Sequence, residues 1–223
     1  MSPPGRPKGE YRSAQHEGTP VSTLPLPLVR GDELPAELRQ VLRPGETLQD
    51  RFGVAHVLPS SFLRVDSRDV ALETQLAAHF KLWELMAVDV REAPQAQAFP
   101  RYVPCALLLL AGALELLRLE VGTYVHVAAN GGYRSPGHAL NRHASRHCWG
   151  TAANIYRIGD TWLATREEIE RYAAIARRVV PGAWVRPFGQ EDGEADDHLH
   201  IDIGYTLFDP VEVQDGGQPT EAG

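Results

Sequence analysis

The spacing of apolar residues predicts three longer helices and one short helix. In residues 69–88 apolar side chains recur every three to five positions, which is typical of one face of a helix. Residues 101–122 are almost continuously apolar and predict a buried central helix that ends at a glycine. Residues 165–180 are amphipathic and begin with the Thr-x-x-Glu pattern of a capping box. The short helix is expected in residues 34–42.

Shorter stretches that alternate apolar and polar residues, or that are rich in β-branched residues, predict strands. These stretches are residues 52–66, 123–130, 151–159, 183–189 and 197–205. A turn and a short helix are expected after Pro136. Together the elements predict an α+β fold, in which helices pack on one face of a small antiparallel sheet.

The chain has 223 residues, enough for one large domain, which we expect to span residues 31–210. Residues 1–30 are rich in Pro, Gly, Ser and charge and are expected to be disordered or wrapped on the surface. Residues 211–223 are expected to be a frayed tail. The first residues lack the apolar stretch of a Sec signal peptide, which suits a cytoplasmic protein or one exported by another route.

Composition and charge exclude several function classes. The net charge of −7 argues against a general binder of nucleic acid or of anionic membranes. The most apolar segment, residues 103–117, contains a glutamate and is shorter than the roughly 20 residues that span a bilayer. The two cysteines form neither a disulfide framework nor a four-cysteine zinc pattern. We therefore expect binding to neither nucleic acid nor a membrane, and we expect a monomer.

The candidate chemistry lies in the last predicted strand, where His198 and His200 stand two residues apart. Alternate residues of a strand point to the same face, so both imidazoles would project side by side. Carboxylates flank them: Asp196, Asp197 and Asp202. Apolar residues on the other face would enter the core: Leu199, Ile201 and Ile203. Two histidines beside carboxylates point to a metal site or a proton-transfer site.

Three motifs in this half of the chain resemble those of a known family. They are "GYRS" at residues 132–135, "SRHCWGTAAN" at 145–154 and "DHLHID" at 197–202. Their order is similar to that of the zinc D-Ala-D-Ala carboxypeptidase family, which includes vancomycin-resistance dipeptidases, phage L-Ala-D-Glu endolysins and the Hedgehog signalling-domain fold. "HFKLWELM" at 79–86 also resembles the family's entry helix. The resemblance covers residues 78–205 and implies a Hedgehog-like fold that binds zinc.

The resemblance implies two metal ligands directly, His147 and His200. Asn154 occupies the position of the family's ligand aspartate. An asparagine is neutral and binds a divalent cation more weakly than a carboxylate does, although its amide oxygen is still a donor. Other donors are conceivable from the sequence: Asp160, Asp202 and, less favoured because it neighbours His147, Cys148.

The resemblance also implies catalytic and substrate-binding roles. His198 would be the catalytic histidine, oriented by Asp197, which in a second branch of the family stands at the position of the general base. Arg134 would bind the substrate carbonyl or the developing oxyanion, and Tyr133 and Ser145 would contact the substrate. The remaining histidines and tryptophans of this half are interpreted as structural, solvated or cleft-lining: His126, His138, His143, Trp149 and Trp184.

The first hypothesis is therefore a zinc-dependent peptidase that cleaves peptidoglycan stem peptides or another small peptide. It would be a D,D-carboxypeptidase or an endopeptidase that cuts a D- or L,D-bond. Two alternatives stay open. Asn154 would suit a non-catalytic binding module that has lost its metal, and the missing signal peptide would suit a metallohydrolase that acts on some other amide.

Overall fold

The computed structural model describes residues 26–189 and 196–210, which form a mixed arrangement of short helices and strands. The α-helices are α1 (Ala36–Leu42), α2 (Arg68–Glu73), α3 (Leu82–Met86), α4 (Pro94–Gln97), α5 (Leu107–Val121) and α6 (Arg166–Val179). The strands are β1 (Leu28–Arg30), β2 (Thr47–Gln49), β3 (Ala55–Val57), β4 (Ser61–Val65), β5 (Gln75–Ala77), β6 (Phe80–Lys81), β7 (Arg101–Pro104), β8 (Val125–Val127), β9 (Ala152–Ile158), β10 (Thr161–Trp162), β11 (Trp184–Val185) and β12 (Leu199–Asp202). Two 3-10 helices occupy Gly31–Glu33 and Arg146–Trp149.

The strands pair in antiparallel sheets throughout the described part of the chain. The largest sheet has five strands, in which β9 pairs with β8, β10 and β12, and β12 continues to β11. A second sheet has the order β1-β4-β7, and two hairpins, β2-β3 and β5-β6, complete the strands. The expected α+β class with small antiparallel sheets is confirmed.

Helices α5 and α6 pack on one face of the five-stranded sheet. The side chains of Ala153, Ile155, Leu199 and Ile201 alternate along β9 and β12 and are fully buried in the core that this packing creates. Period-two alternation therefore sends the intervening residues of both strands to the opposite face. That opposite face carries the candidate site. Ile203, expected in the core, lies beyond the end of β12 and is half-buried.

The predicted helix over residues 69–88 is wrong, because the chain there forms α2, the β5-β6 hairpin and α3. The Thr74 hydroxyl donates to the Val70 carbonyl at 2.7 Å and closes α2. The hairpin turn is held by α5, since the backbone N–H and the ring of His79 both bond Glu115. These contacts with a distant helix outweigh the helical spacing of the local sequence.

The predicted central helix begins later than expected, at Leu107, because residues 101–104 pair with β4 as strand β7. Its predicted end is confirmed, since Gly122 adopts the left-handed conformation with φ of 66°. The helix expected after Pro136 is replaced by turns, and a 3-10 helix forms at Arg146–Trp149. The capping box at Thr165 is confirmed on α6.

The expected N-terminal segment is partly wrong, because its residues 28–30 pair with β4 as β1. Residues 1–25 and the tail 211–223 lie outside the described residues, as does most of the acidic run at 190–197. Among the helices described, none combines the length and apolarity that a bilayer crossing requires.

Candidate functional site

The pairing of β9 with β12 places Asn154 directly opposite His200 on the face away from α5 and α6. The Nδ1 atom of His200 lies 2.8 Å from the Oδ1 atom of Asn154, which is a hydrogen-bond distance. Both atoms are acceptors when the imidazole is neutral with its proton on Nε2. When the ring proton is on Nδ1 instead, the imidazole donates a hydrogen bond to the Asn154 oxygen.

His147 approaches the same place from the 3-10 helix that precedes β9. Its side chain is buried, and its ring centre lies 5.3 Å from that of His200. The Nδ1–H group of His147 donates to the Gly132 carbonyl at 2.8 Å. This bond places the ring proton on Nδ1, and Nε2 makes no hydrogen bond among the described residues.

Gly132 is the residue that lets this loop come close enough to hold His147. A Cβ atom at position 132 would lie 2.1 Å from the Leu85 carbonyl oxygen, so a larger residue does not fit without moving the backbone. The neighbouring Tyr133 N–H donates to the same carbonyl at 2.7 Å. The glycine of the "GYRS" motif therefore serves a close backbone approach.

Asp202 anchors the other side of His200. Its Oδ2 atom lies 3.2 Å from Nε2 of His200, and its Oδ1 atom accepts from the Gly204 N–H. The carboxylate is almost fully buried, and the Nε atom of Arg146 lies 3.4 Å from it. A carboxylate on the second ring nitrogen of a histidine orients the ring and fixes its tautomer.

Burial favours the neutral forms of His147 and His198. The pKa of His147 is lowered well below its usual value, first by burial and then by the nearby charge of Arg134. Burial also lowers the pKa of His198, although the hydrogen bond that its ring donates to Asp197 opposes the shift. Neutral imidazoles can donate a lone pair to a metal or accept a proton.

His198 stands one residue before β12, between Asp197 and Arg186. Its Nδ1–H group donates to Asp197 at 2.6 Å, and its Nε2 atom accepts from Nη2 of Arg186 at 3.2 Å. The ring proton is therefore on Nδ1 and the lone pair is on Nε2. The pair with Asp197 suits an orienting role, as the resemblance implied, although the Asp197 side chain is largely exposed.

Arg134 and Ser145 lie together beside His147. The Nη2 atom of Arg134 is 3.5 Å from Oγ of Ser145, and the Arg134 N–H donates to the His147 carbonyl at 3.2 Å. Tyr133, by contrast, is buried in the main core, so its ring is not presented to solvent at the site. The structure thus brings together all the predicted site residues of this loop except Tyr133.

A buried carboxylate that sequence reasoning missed supports the Arg134 loop. Glu92, 3% exposed, accepts from the Ser135 N–H at 2.9 Å and from the Ser135 hydroxyl at 2.5 Å. It also accepts from the N–H of Ala93 at 2.8 Å. No motif marks this residue, because it lies 43 positions before its partner and only tertiary packing joins them.

Two more arginines belong to the site without having been predicted. Arg146 lies between the rings of Trp184 and Tyr205, 5.7 and 4.8 Å from their centres. Arg186 is buried next to His198. Arg146 precedes His147 in the "SRHCWGTAAN" motif, and this position next to a predicted ligand could have marked it as a site residue. Trp184 lies 5.6 Å from the His200 ring and lines the site as expected.

Other candidate residues lie elsewhere. Asp160 lines a separate depression near β10, and the Cys148 thiol is buried in a small apolar cluster with Trp149. His143 is exposed. His138, interpreted as a solvated loop residue, is instead buried, and its Nε2–H group donates to Asn130 at 3.0 Å. That interpretation is corrected: His138 is a structural residue that accepts from the Leu140 N–H at Nδ1.

The zinc ion that the resemblance implies would need ligands from this site. Across residues 26–189 and 196–210 no cluster of three or more His, Cys, Asp or Glu side chains could hold a metal ion. The available set is therefore two imidazoles and one amide oxygen, from His147, His200 and Asn154. Three neutral ligands can hold a catalytic zinc, as three histidines do in some enzymes. In both histidines one ring nitrogen bonds a supporting group: Nδ1 of His147 bonds the Gly132 carbonyl, and Nε2 of His200 bonds Asp202. Metal-ligating histidines have the same kind of support.

Comparisons with known proteins add no relative. The chain matches no model of a known protein family, and neither the curated proteins nor the solved structures yield a significant match.

Proposed function

We propose that the chain is a zinc-dependent peptidase that resembles the zinc D-Ala-D-Ala carboxypeptidases and cleaves peptidoglycan stem peptides or other short peptides. One observation carries the proposal. His147 and His200 each have one ring nitrogen bonded to a supporting group, Gly132 or Asp202, while Nδ1 of His200 faces the Asn154 oxygen. This is the arrangement of metal-ligating histidines with their outer partners.

His147, His200 and Asn154 would hold the zinc ion. Bound there, zinc would supply Lewis-acid polarisation of a carbonyl and a water acidified towards neutral pH. The absence of a carboxylate ligand leaves the site one charge more positive than in the family, so we expect weaker metal binding.

The remaining side chains would bind the peptide and carry protons. Arg134, which is buried beside Ser145, would hold the oxygen of the scissile carbonyl or a terminal carboxylate. His198 presents its Nε2 lone pair as a proton acceptor, and Asp197 would stabilise the imidazolium that results. Because Arg186 donates to that Nε2 atom, it must exchange this contact for the substrate before His198 can accept a proton.

The test combines metal analysis with a cleavage assay on the full chain. Protein purified without added zinc is dialysed against a defined zinc buffer, its metal content is measured, and it is incubated with a stem pentapeptide ending in D-Ala-D-Ala. We expect one zinc per chain and a cleaved product separated by liquid chromatography. His147→Ala should lose both, whereas His79→Ala, whose ring bonds Glu115 away from the site, should lose neither. If the wild type neither binds zinc nor cleaves the peptide, the proposal is refuted.

A second function, a metal-free peptide-binding module, is favoured by the direct contact between His200 and Asn154. The substitution Asn154→Asp separates the two functions. If the wild type binds no zinc while the variant gains zinc and cleavage, the natural protein is the binding module. If the wild type already binds zinc and cleaves, the module is excluded and Asn154→Asp should only tighten metal binding.

A further inference from the structure

A second depression lies at the end of the five-stranded sheet, where β8, β9 and β10 meet. Its volume is about 410 Å³, within the range typical of small-molecule sites. Polar and aromatic side chains line it, among them Thr123, Tyr124, His126, Arg157, Asp160 and Thr161. Arg157 is three residues along β9 from Asn154, or about 10 Å at strand spacing. The depression is therefore distinct from the candidate zinc site.

The guanidinium of Arg157 has no anionic partner within the described residues. Its Nη2 atom donates to Nε2 of His126 at 3.1 Å, and no carboxylate there lies within ion-pairing distance. The Nε atom is buried and has no hydrogen-bond partner. Burial and the charge of Arg157 lower the pKa of His126, so the imidazole is a neutral acceptor and does not balance that charge. A partly buried guanidinium without a negative partner is stabilised by an oxyanion. The oxyanion offsets the positive charge and accepts hydrogen bonds from the guanidinium N–H groups.

Exposed aromatic rings stand beside this cation. Trp162 is 59% exposed, and its ring centre lies 5.5 Å from the Arg157 guanidinium carbon and 5.4 Å from the centre of the Tyr156 ring. Tyr124 is 66% exposed and lies 6.2 Å from His126 between ring centres. Such rings offer flat apolar faces to a ligand. The nearby hydroxyls and the Asp160 carboxylate offer polar contacts at the edge of the same depression.

We propose that this depression binds an acidic sugar through its carboxylate. Arg157 pairs with the carboxylate, Tyr124 stacks on the C–H face of the ring, and the Thr123, Thr161 and Asp160 side chains contact the hydroxyls. The negative charge of Asp160 favours a singly charged carboxylate over a doubly charged phosphate ester. A flat aromatic acid would use Arg157 and the rings but would leave the polar groups of the depression without partners.

The experiment uses the full chain in a buffer containing a chelator, so that its outcome does not depend on zinc binding or cleavage. D-Glucuronic acid, D-glucose, glucose 6-phosphate and benzoate are titrated separately, and binding is followed by tryptophan fluorescence and calorimetry. We expect glucuronic acid to bind with a Kd of about 1 mM and the other three to bind at least about tenfold more weakly.

Variants assign the binding to this depression. Arg157→Gln should lower the affinity for glucuronic acid by about tenfold or more, and Arg157→Lys, which keeps the charge but not the fork, should lower it less. Trp162→Phe should retain binding with an altered fluorescence response. Arg64→Gln is the matched control, because Arg64 is exposed on β4 and its guanidinium bonds Asp66. Circular dichroism checks that each variant is folded.

Five outcomes would overturn the proposal. Equal affinity for glucose and glucuronic acid would refute carboxylate recognition, and tighter binding of glucose 6-phosphate would indicate a phosphate site. Tighter binding of benzoate would indicate a site for aromatic acids. No binding at about 10 mM, or binding that a folded Arg157→Gln variant retains, would exclude an acidic-sugar site here.

Discussion

Replacement of Glu92 by glutamine tests the support of the Arg134 loop. The carboxylate is 3% exposed and accepts three hydrogen bonds, two from Ser135 and one from the Ala93 N–H. A glutamine keeps the shape but turns one acceptor oxygen into an NH₂ group. The least costly orientation points this group at the Ser135 N–H, which opposes two donors and breaks one bond. The Ser135 hydroxyl and the Ala93 N–H would still bond the remaining oxygen, which is now neutral.

The expected loss follows from those bonds. A buried donor left without an acceptor costs about 1–3 kcal/mol. Neutral hydrogen bonds are roughly half as strong as charge-assisted ones, so the two remaining bonds lose about 1 kcal/mol together. We therefore expect Glu92→Gln to lower the free energy of unfolding by about 2–4 kcal/mol. Amide exchange at Ser135 should accelerate, because the loop loses its anchor.

Urea unfolding followed by far-ultraviolet circular dichroism measures this change, provided the slope with denaturant is unchanged. Glu37→Gln on the exposed face of α1 is the matched control and should change stability by less than about 0.5 kcal/mol. If Glu92→Gln loses less than about 1 kcal/mol, the carboxylate does not support the loop as described.

Three further predictions concern stability and reactivity. Thr165→Ala removes the side-chain cap of α6 and should cost about 1 kcal/mol in urea unfolding, and no loss would contradict the capping role. Burial raises the pKa of both thiols, Cys105 and Cys148, to about 12. Ellman's reagent should therefore label neither thiol in the native chain and both in denaturant. Rapid labelling of the native chain would refute their burial. Gly132→Ala should lower the melting temperature, because the added Cβ would lie 2.1 Å from backbone. Gly112→Ala in the middle of α5 should raise it, because the added Cβ meets nothing within 4 Å. Equal effects of the two substitutions would contradict the close approach at Gly132.

Several local features could be predicted because their physical cause lies within a few residues. The capping box of α6 joins positions three apart, and the end of α5 depends on one glycine. The alternation in "HLHID" correctly placed Leu199 and Ile201 in the core and His200 on the opposite face. A period of two needs no knowledge of the partner strand.

Other features could not be predicted, because they depend on partners far away in the sequence. Residues 69–88 have helical spacing, yet the bonds of His79 to Glu115 and the packing on α5 favour a hairpin. The residues that support the site also depend on partners far away in the sequence. Glu92 reaches Ser135 across 43 positions, and Arg186 meets His198 through the pairing of β11 with β12.

By itself, the sequence determined which residues carry candidate chemistry and which faces of the local elements are apolar. The resemblance of its motifs to a known family implied His147, Asn154 and His200 as a set. Only the tertiary structure decided that Asn154 stands opposite His200 at 2.8 Å and that Asp202 holds the other ring nitrogen. Strand register and loop packing set those distances, and both arise from burial of the α5 and α6 core rather than from any motif.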